Sequence, residues 1–472
     1  MQPLNPLTDG TRWWVPHNRW DLVPAQPDAA AGERCAVIVP YFEQPDSLRR
    51  MYAAIAVAGL DPSLHELIVV DDGSVDAPPP PPPELGIPAR VFRQPDLGRR
   101  PGAARHLGAS KTSAEILVFL DADTLPTPTA IAALAARVRI LPDALVVGRR
   151  RHADLDGWSG ETTAAWLDGS GPAPLLRSDP VWLADAYERT ANLLDADERS
   201  FRYIISGVMA CSRVLYEDVG GFDVDRAEYG GEDWDFAARA FNQGAVLIHE
   251  PLALVWHDEP DWADRTPDLL SKNAESLWLA SRITDPATRG VGIIHGFTDI
   301  VTRVEFTAPL PAIVATVQML LSCAPDQTVE LPAGTAAPAK AYFAEDPRIR
   351  FAPVAPEHIL RARVLVTVTR AFEWGPDTLD RGLRLLGPNG VGIVAMNCCG
   401  ETFATLTASR AAGRARRALL YGFEPGSVMS ELFGTQTIEC EPHGRLHGGE
   451  EPDIATWLGR MASSHRSDDR GA

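Results

Sequence analysis

Asp121 and Asp123 stand one residue apart directly after Ile116-Leu-Val-Phe-Leu120, an unbroken apolar run. Such a run bounded by charge predicts a strand buried on both faces, as in a parallel sheet covered by crossover helices. The two carboxylates then lie beyond the strand's carboxyl end, the edge where open α/β sheets bind ligands, and together they suit a hard divalent cation carrying phosphate oxygens. Acidic residues after a strand also serve as plain caps and turns, so the D-x-D spacing gains meaning only from its neighbours.

Those neighbours repeat the pattern. Cys35-Ala-Val-Ile-Val39 reads as a buried strand that leads through Pro40 into a helix. On that helix Leu48, Met51, Tyr52 and Ile55 share a face, with Asp46 or Ser47 as cap and Gly59 as stop. Glu66-Leu-Ile-Val-Val70 runs into Asp71-Asp72-Gly73-Ser74, where a carboxylate can accept hydrogen bonds from a base N–H or from ribose hydroxyls; a simple turn is the other reading. Gly98 to Gly108 is a glycine-containing turn entering a helix, with Arg99, Arg100 and Arg105 concentrated there. Helix amides plus guanidinium groups make an anion site suited to a diphosphate. After Asp123, Thr127 as cap and Pro128 in the first turn open a helix whose Ile131, Leu134, Ala135 and Val138 keep helical spacing. Three β-α units thus bring Asp72, Arg105, Asp121 and Asp123 to one edge of a sheet.

Composition sets the outer bounds. A chain of 472 residues has room for two domains or three, and a net charge of -19 argues against nucleic acid or an anionic membrane surface as the main partner. Cys35, Cys211, Cys323, Cys398, Cys399 and Cys440 show no C-x-x-C spacing and read as reduced, mostly buried thiols of a cytoplasmic protein. The first twenty residues lack a basic-then-apolar leader, and the apolar stretch from Ile313 to Ala324 is too short to span a bilayer, so no membrane span is expected. Residues 1–33 read as an extended arm that packs its tryptophans, Trp13, Trp14 and Trp20, on the domain, and Pro78 to Pro83 as a stiff surface loop.

With these pieces in order, VIVPYF at 37–42, VVDDGS at 69–74, GAARHLGA at 102–109 and FLDAD at 119–123, the chain resembles the family 2 glycosyltransferases. Ser206 to Arg213, Val219-Gly-Gly-Phe-Asp223 and Gly230-Gly-Glu-Asp-Trp-Asp235 extend the resemblance. It implies a GT-A fold, which is Rossmann-like with a mostly parallel sheet and flanking helices, and an inverting enzyme that moves a sugar from a nucleotide-sugar donor to an acceptor. By that likeness Asp233 is the general base and Glu232 orients sugar or acceptor. Pro40, Asp72, Arg105, Asp121 and Trp234 line the donor site, Trp234 offering an aromatic face to a sugar or simply packing in the core. Asp123 and His257, the latter after Ala253-Leu-Val-Trp256, are the expected ligands of Mn2+ or Mg2+; His249, ending Ala245-Val-Leu-Ile-His249, fits that placement less well. A UDP-sugar is the donor that the family most often uses. The acceptor is open between saccharide, peptide and small natural product, and the charged segment 149–200 is where acceptor contacts could lie. A homodimer is allowed.

Two other functions are weighed. A non-catalytic nucleotide-sugar or glycan-binding scaffold would not need Asp121, Asp123 and Asp233 together. Nucleotidylyl transfer would call for a glycine-rich, basic loop after the first strand, where this chain has PYFEQPD.

The domain reading is an arm over 1–33, a GT-A domain over 34–300, a C-terminal α/β domain over 301–462 and a disordered tail over 463–472. Val364-Leu-Val-Thr-Val-Thr369 aligns without gaps on Ile116 to Asp121, which makes the C-terminal domain either a degenerate GT-A-like copy, with Thr369 and Ala371 in place of Asp121 and Asp123, or a chance likeness of two β-α units. Residues 383–396 read as helix, turn and strand, without a glycine-rich cofactor loop. Arg410, Arg414, Arg416 and Arg417 read as a solvated basic face.

Overall fold

Cys35–Tyr41 (β1), His65–Asp71 (β2), Ala89–Arg93 (β3) and Ile116–Leu120 (β4) are parallel neighbours in one sheet, and every residue of β4 is buried. The computed structural model describes residues 4–23, 32–226, 230–258, 269–372, 378–398, 400–439 and 452–459. Cys399, Cys440 and the expected tail from Ser463 lie outside them. The chain divides into two compact units, one of residues 4–283 with 413–432, the other of residues 284–412 with the described residues from 433 onward.

In the first unit the sheet continues through Thr124–Pro126 (β5), Ala144–Asp154 (β6), Val208–Ser212 (β7) and Val246–His257 (β8), in the order β3-β2-β1-β4-β7-β6-β8-β5. β7 runs antiparallel between β4 and β6, and β8 is parallel to β6. The helices that matter for the site are Pro45–Ala58 (α1), Pro101–Ser110 (α2), Ala130–Ile140 (α3), Val181–Arg189 (α4), Glu232–Asn242 (α5) and Leu269–Arg282 (α6). α1 buries Leu48, Met51, Tyr52 and Ile55 and α3 buries Ile131, Leu134, Ala135 and Val138, the stripes that their spacing predicts.

Several local expectations are corrected. α1 starts at Pro45 after Gln44, with no side-chain cap, so Asp46 and Ser47 lie inside the first turn; proline at the first position needs no donor there. α3 begins after Thr129, and the Thr127 hydroxyl donates to Leu254 O at 2.9 Å, tying the loop to β8 instead of capping a helix. The two expected strands ending at His249 and His257 are one strand, since a bulge between Glu250 and Leu254 absorbs the break at Pro251. The basic run is a solvated face only in part: Arg416 is exposed and Arg410 half-buried, but the other two arginines are not. Ser409–Leu419 (α7) buries Arg414 and Arg417, each with about 2% of the side chain exposed. Arg417 pairs with Asp143 and Asp218 (2.5 and 2.8 Å), and Arg414 donates to the carbonyls of Gly244, Val15 and His17. Guanidinium groups enter a core when acceptors meet most of their donors, as here, where only Arg417 Nη2 is left without one.

Trp14 is buried, its ring 5.0 Å from Tyr421 and 4.7 Å from Phe423. Cys35, Cys211 and Cys398 are buried, and no disulfide joins the described cysteines. No helix among the described residues is long and apolar enough to cross a membrane.

The second unit is built on Ile300–Val304 (β9), Gln327–Glu330 (β10), Ile349–Arg350 (β11), Val364–Val368 (β12), Ile393–Cys398 (β13), Glu401–Ala408 (β14) and Thr435–Glu439 (β15), in the order β11-β10-β9-β12-β14-β13-β15. Position by position this is the order β3-β2-β1-β4-β7-β6-β8 of the first sheet, and each neighbouring pair has the same relative direction. β12 takes the place of β4, as the ungapped alignment of Val364 on Ile116 requires. The C-terminal unit is therefore a topological copy of the sheet before it.

Candidate active site

Because β1, β2 and β4 are parallel, the residues that follow them share the carboxyl edge of the sheet. Asp121 leaves β4 with its N–H bonded to Gly207 O (3.3 Å), and a Cβ at residue 207 would sit 2.8 Å from Asp121 Oδ2. Glycine at 207 is what gives this carboxylate its space.

Arg105, on the second turn of α2, is buried and joins two parts of the edge. Its Nη2 donates to Asp121 Oδ1 and its Nη1 to Glu232 Oε1 at 3.1 Å. Burial opposes the charge, but Asp121 and Glu232 outweigh it and hold the guanidinium above its usual value. The pairing draws the first turn of α5 against α2, so close that a Cβ on Gly102 would lie 3.2 Å from Glu232 Cβ. Gly231 precedes α5 in the left-handed region (φ 82°), which aims Glu232 and Asp233 from the helix start. Burial, then the neighbouring Glu232 charge, push the Asp233 carboxyl well above the ordinary carboxylate range against the pull of Arg105. The Glu275 charge on α6 adds to the rise. Trp234 is half-buried, its ring 5.9 Å from the Arg202 guanidinium.

On β2's side, Asp72 accepts from Gln94 Nε2 (2.5 Å) and from the Arg100 backbone N–H (2.6 Å), and burial raises its carboxyl above the usual range. Its oxygens retain lone pairs for a further donor. Pro40 has no N–H to give to β4. Pairing between β1 and β4 accordingly stops at Ile38, and the two strands part at the edge.

The register between β5 and β8 sets His257 opposite Thr124, which brings His257 Nε2 to 3.7 Å from Asp123 Oδ1. Asp258 fixes the turn beyond. Its N–H donates to Asp123 O, and its carboxylate accepts from Arg50 (2.5 Å) and from the Leu155 N–H (3.0 Å). Among the described residues no three His, Cys, Asp or Glu side chains converge as a complete metal cage. A carboxylate and an imidazole at this spacing fit as the protein's share of a divalent cation whose remaining ligands come from a diphosphate and water.

The residues predicted from the sequence fall into three groups at this edge: Asp121, Arg105, Glu232 and Asp233; Asp123 with His257; and Asp72 behind Arg100. Sequence reading missed Gln94, Arg50, Asp258 and Glu275. It also missed His152, whose ring lies 5.3 Å from that of His257. The pairing of β6 with β8 puts those two histidines opposite each other across about a hundred residues of chain, so only the fold could find them.

The family model described as glycosyl transferase family 2 matches residues 36–199, and that described as the N-terminal domain of galactosyltransferase matches residues 194–250. Among curated relatives, hyaluronan synthase of Pasteurella multocida is 26% identical over 49% of this chain and 25% of its own length. Pre-mycofactocin glycosyltransferase of Mycobacterium tuberculosis is 28% identical over 51% of this chain and 47% of its own. Validoxylamine A glucosyltransferase of Streptomyces hygroscopicus subsp. limoneus is 28% identical over 45% and 49%. The chain thus spans a quarter to about half of these relatives. A mannosyltransferase from Pyrobaculum calidifontis, solved with GDP-Man and Mn2+, superposes with a TM-score of 0.37 at 18% identity, covering 56% of this chain and 66% of that one, too loose a likeness to build on.

Proposed function

Since the chain carries a family 2 glycosyltransferase domain, we propose that it transfers a sugar from a UDP-sugar to an acceptor hydroxyl with inversion at the anomeric carbon. The observation that supports this most is Arg105, buried between Asp121 and Glu232, because it locks the donor edge of β4 to the helix that carries the base.

Displacing a nucleotide from an anomeric carbon builds positive charge on the sugar and negative charge on the departing diphosphate. Asp123 and His257 are the residues that would hold a divalent cation, whose chemistry when bound is to offset the diphosphate charge. Asp72 takes a base N–H or a ribose hydroxyl, and Asp121, steadied by Arg105, takes hydroxyls of the sugar or ribose. Asp233 accepts the proton of the incoming hydroxyl from the face opposite the leaving group, as the general base of an inverting displacement does. Glu232, held by Arg105, orients sugar or acceptor, and Trp234 gives a sugar ring an aromatic face. Its raised pKa makes Asp233 a stronger base than an exposed aspartate and moves its loss of a proton to higher pH. Activity therefore rises through a window above the ordinary carboxylate range.

Thermal unfolding with UDP, GDP or dTDP, each with and without Mn2+, tests the donor half of this reading. The expected outcome is a rise with UDP that requires metal and disappears in Asp123→Ala. An Asp123→Ala protein that binds UDP and Mn2+ as well as the parent removes the metal role from this residue.

A further inference from the structure

A cavity of about 270 Å³ opens between α4 and β8, on a part of the first unit that the proposed transfer does not use. His249 lines it, eight residues before His257 on the same strand; because the bulge takes up three of those residues, their partners on β6, Val147 and His152, are five residues apart, roughly 17 Å at ~3.3 Å per residue.

His249 is 6% exposed and rigidly set. Its ring stacks on Tyr187 at 3.7 Å with 6° between planes, and Nδ1 lies 2.8 Å from Asn192 Oδ1. With Nδ1 donating there, Nε2 is an acceptor, and it has no hydrogen-bond partner although it is buried. Buried acceptors left unmet are destabilising, and a ligand O–H removes that cost. Burial first, then the Arg149 charge, lower the His249 pKa to about 4, so the ring is neutral at physiological pH and Nε2 keeps its lone pair.

The wall that holds Asn192 is strained. Ala191, Asn192 and Leu193 are consecutive left-handed residues (φ 48°, 59° and 70°), a conformation that asparagine tolerates but that the side chains of Ala191 and Leu193 disfavour. The strap is held by Leu193 N–H donating to Thr190 Oγ1 at 3.1 Å and by Asn18 donating to Leu193 O at 2.6 Å. Strain kept in place this way marks a constrained, ligand-facing position more often than an idle one.

The lining also selects by charge. Arg149 is bonded to Asp179 through two nitrogens, at 2.7 Å from Nη2 and 3.2 Å from Nε, while Arg150 and Glu188 add one charge of each sign. An anion would have to compete with Asp179 for its guanidinium. A ligand rich in hydroxyls can instead donate to carboxylate and imidazole and accept from arginine at once. The volume lies just under the ~300–1,000 Å³ of pockets that take drug-sized molecules, which suits one six-membered polyol ring and excludes a nucleoside diphosphate.

We propose that this cavity is a second saccharide site, apart from the catalytic edge, that takes one uncharged sugar unit. That the polyol is a sugar rests on the glycosyl-transfer reading; that the cavity binds a neutral polyol does not. The test uses the full-length protein with 13C-labelled histidine rings, the His249 signal being assigned by its loss in His249→Phe. It is titrated with the methyl glycosides of glucose, galactose, mannose and N-acetylglucosamine, with myo-inositol, with inorganic phosphate, and with UDP plus diamagnetic Mg2+. The expected result is a saturable shift of the His249 signal with at least one glycoside at a millimolar Kd, no shift with UDP and Mg2+, and at least a roughly tenfold loss of affinity in Ala184→Trp, which fills the cavity from the α4 side. A shift with inositol alone refutes the sugar and keeps the polyol site. No shift with any glycoside or inositol, a shift with phosphate instead, or unchanged affinity in Ala184→Trp overturns the proposal. The readout is binding, so a protein without transferase activity that still shows the shift loses only the transfer reading.

Discussion

Seven strands of each sheet of this chain are threaded alike, yet at the matching strand end one carries carboxylates and the other a pair of phenylalanines. Asp121 after β4 corresponds to Thr369 after β12, and each gives its N–H to the neighbouring antiparallel strand at the same place, to Gly207 O in one unit and to Phe403 O in the other. Glycine leaves room for a charged side chain there. Phe403 instead fills that space and stacks on Phe372, ring centroids 3.9 Å apart, with both residues fully buried. Asp123 corresponds to Ala371, also buried. The contrast extends to the parting of strands. Pro40 cannot donate, so β1 and β4 separate at the edge, whereas Glu305 in the equivalent place donates to Val368 O and keeps β9 and β12 joined. One backbone topology supports an open polar edge or a closed aromatic one, and a few side chains decide which.

The largest expected effect of breaking this contrast is on stability in the second unit. Phe403→Ala should cost about 3–5 kcal/mol, as loss of a fully buried aromatic does, read as an earlier urea transition of that unit with nucleotide binding unchanged. A second unit of parental stability would show that the aromatic pair does not hold its edge. In the first unit, Asp233→Asn should lower turnover by roughly 10²-fold or more while leaving UDP binding intact. Near-normal turnover would take the role of base away from Asp233.

A smaller effect is expected on pH dependence. Removing the Glu275 charge with Glu275→Gln takes away one contribution that raises the Asp233 pKa. The acid limb of the activity profile should then move to lower pH, because the base loses its proton sooner; an unmoved or raised limb contradicts the coupling. The same shift has a consequence for folding. As pH rises from the ordinary aspartate value towards the raised one, the folded chain keeps a proton that the unfolded chain has lost, so this group's contribution to stability falls across that window. Thr369→Ala is the smallest change, expected within about 0.5 kcal/mol in stability and without effect on nucleotide binding. A measurable loss of nucleotide affinity would mean that the second edge takes part in the site.

Much of the first sheet was legible because β1, β2 and β4 are buried on both faces, and that condition leaves an unbroken apolar run in the sequence. The stripes of α1 and α3 were legible for the matching reason at helical spacing. β8 was not read as one strand, since Glu250-Pro251-Leu252 looks like a break and only the bulge against β6 shows the chain continuing. Two of the four arginines near residue 414, Arg414 and Arg417, misled because a run of charge carries no record of whether acceptors await it, whereas Arg416 is exposed as read. Asp143, Asp218 and the carbonyls that receive Arg414 and Arg417 come from segments hundreds of residues earlier.

What the sequence determined by itself was therefore the buried strands β1, β2 and β4, the placing of Asp72, Asp121 and Asp123 at the carboxyl ends of β2 and β4, and the likeness of Val364–Val368 to the strand before Asp121. Those follow from periodicity and from local order along the chain. Only the tertiary structure decided that Arg105 binds Asp121 and Glu232 together, that His257 stands beside Asp123 with His152 next to it, and that His249 ends in a cavity with an unmet acceptor. Those depend on strand register and on contacts between distant residues, which no local pattern encodes.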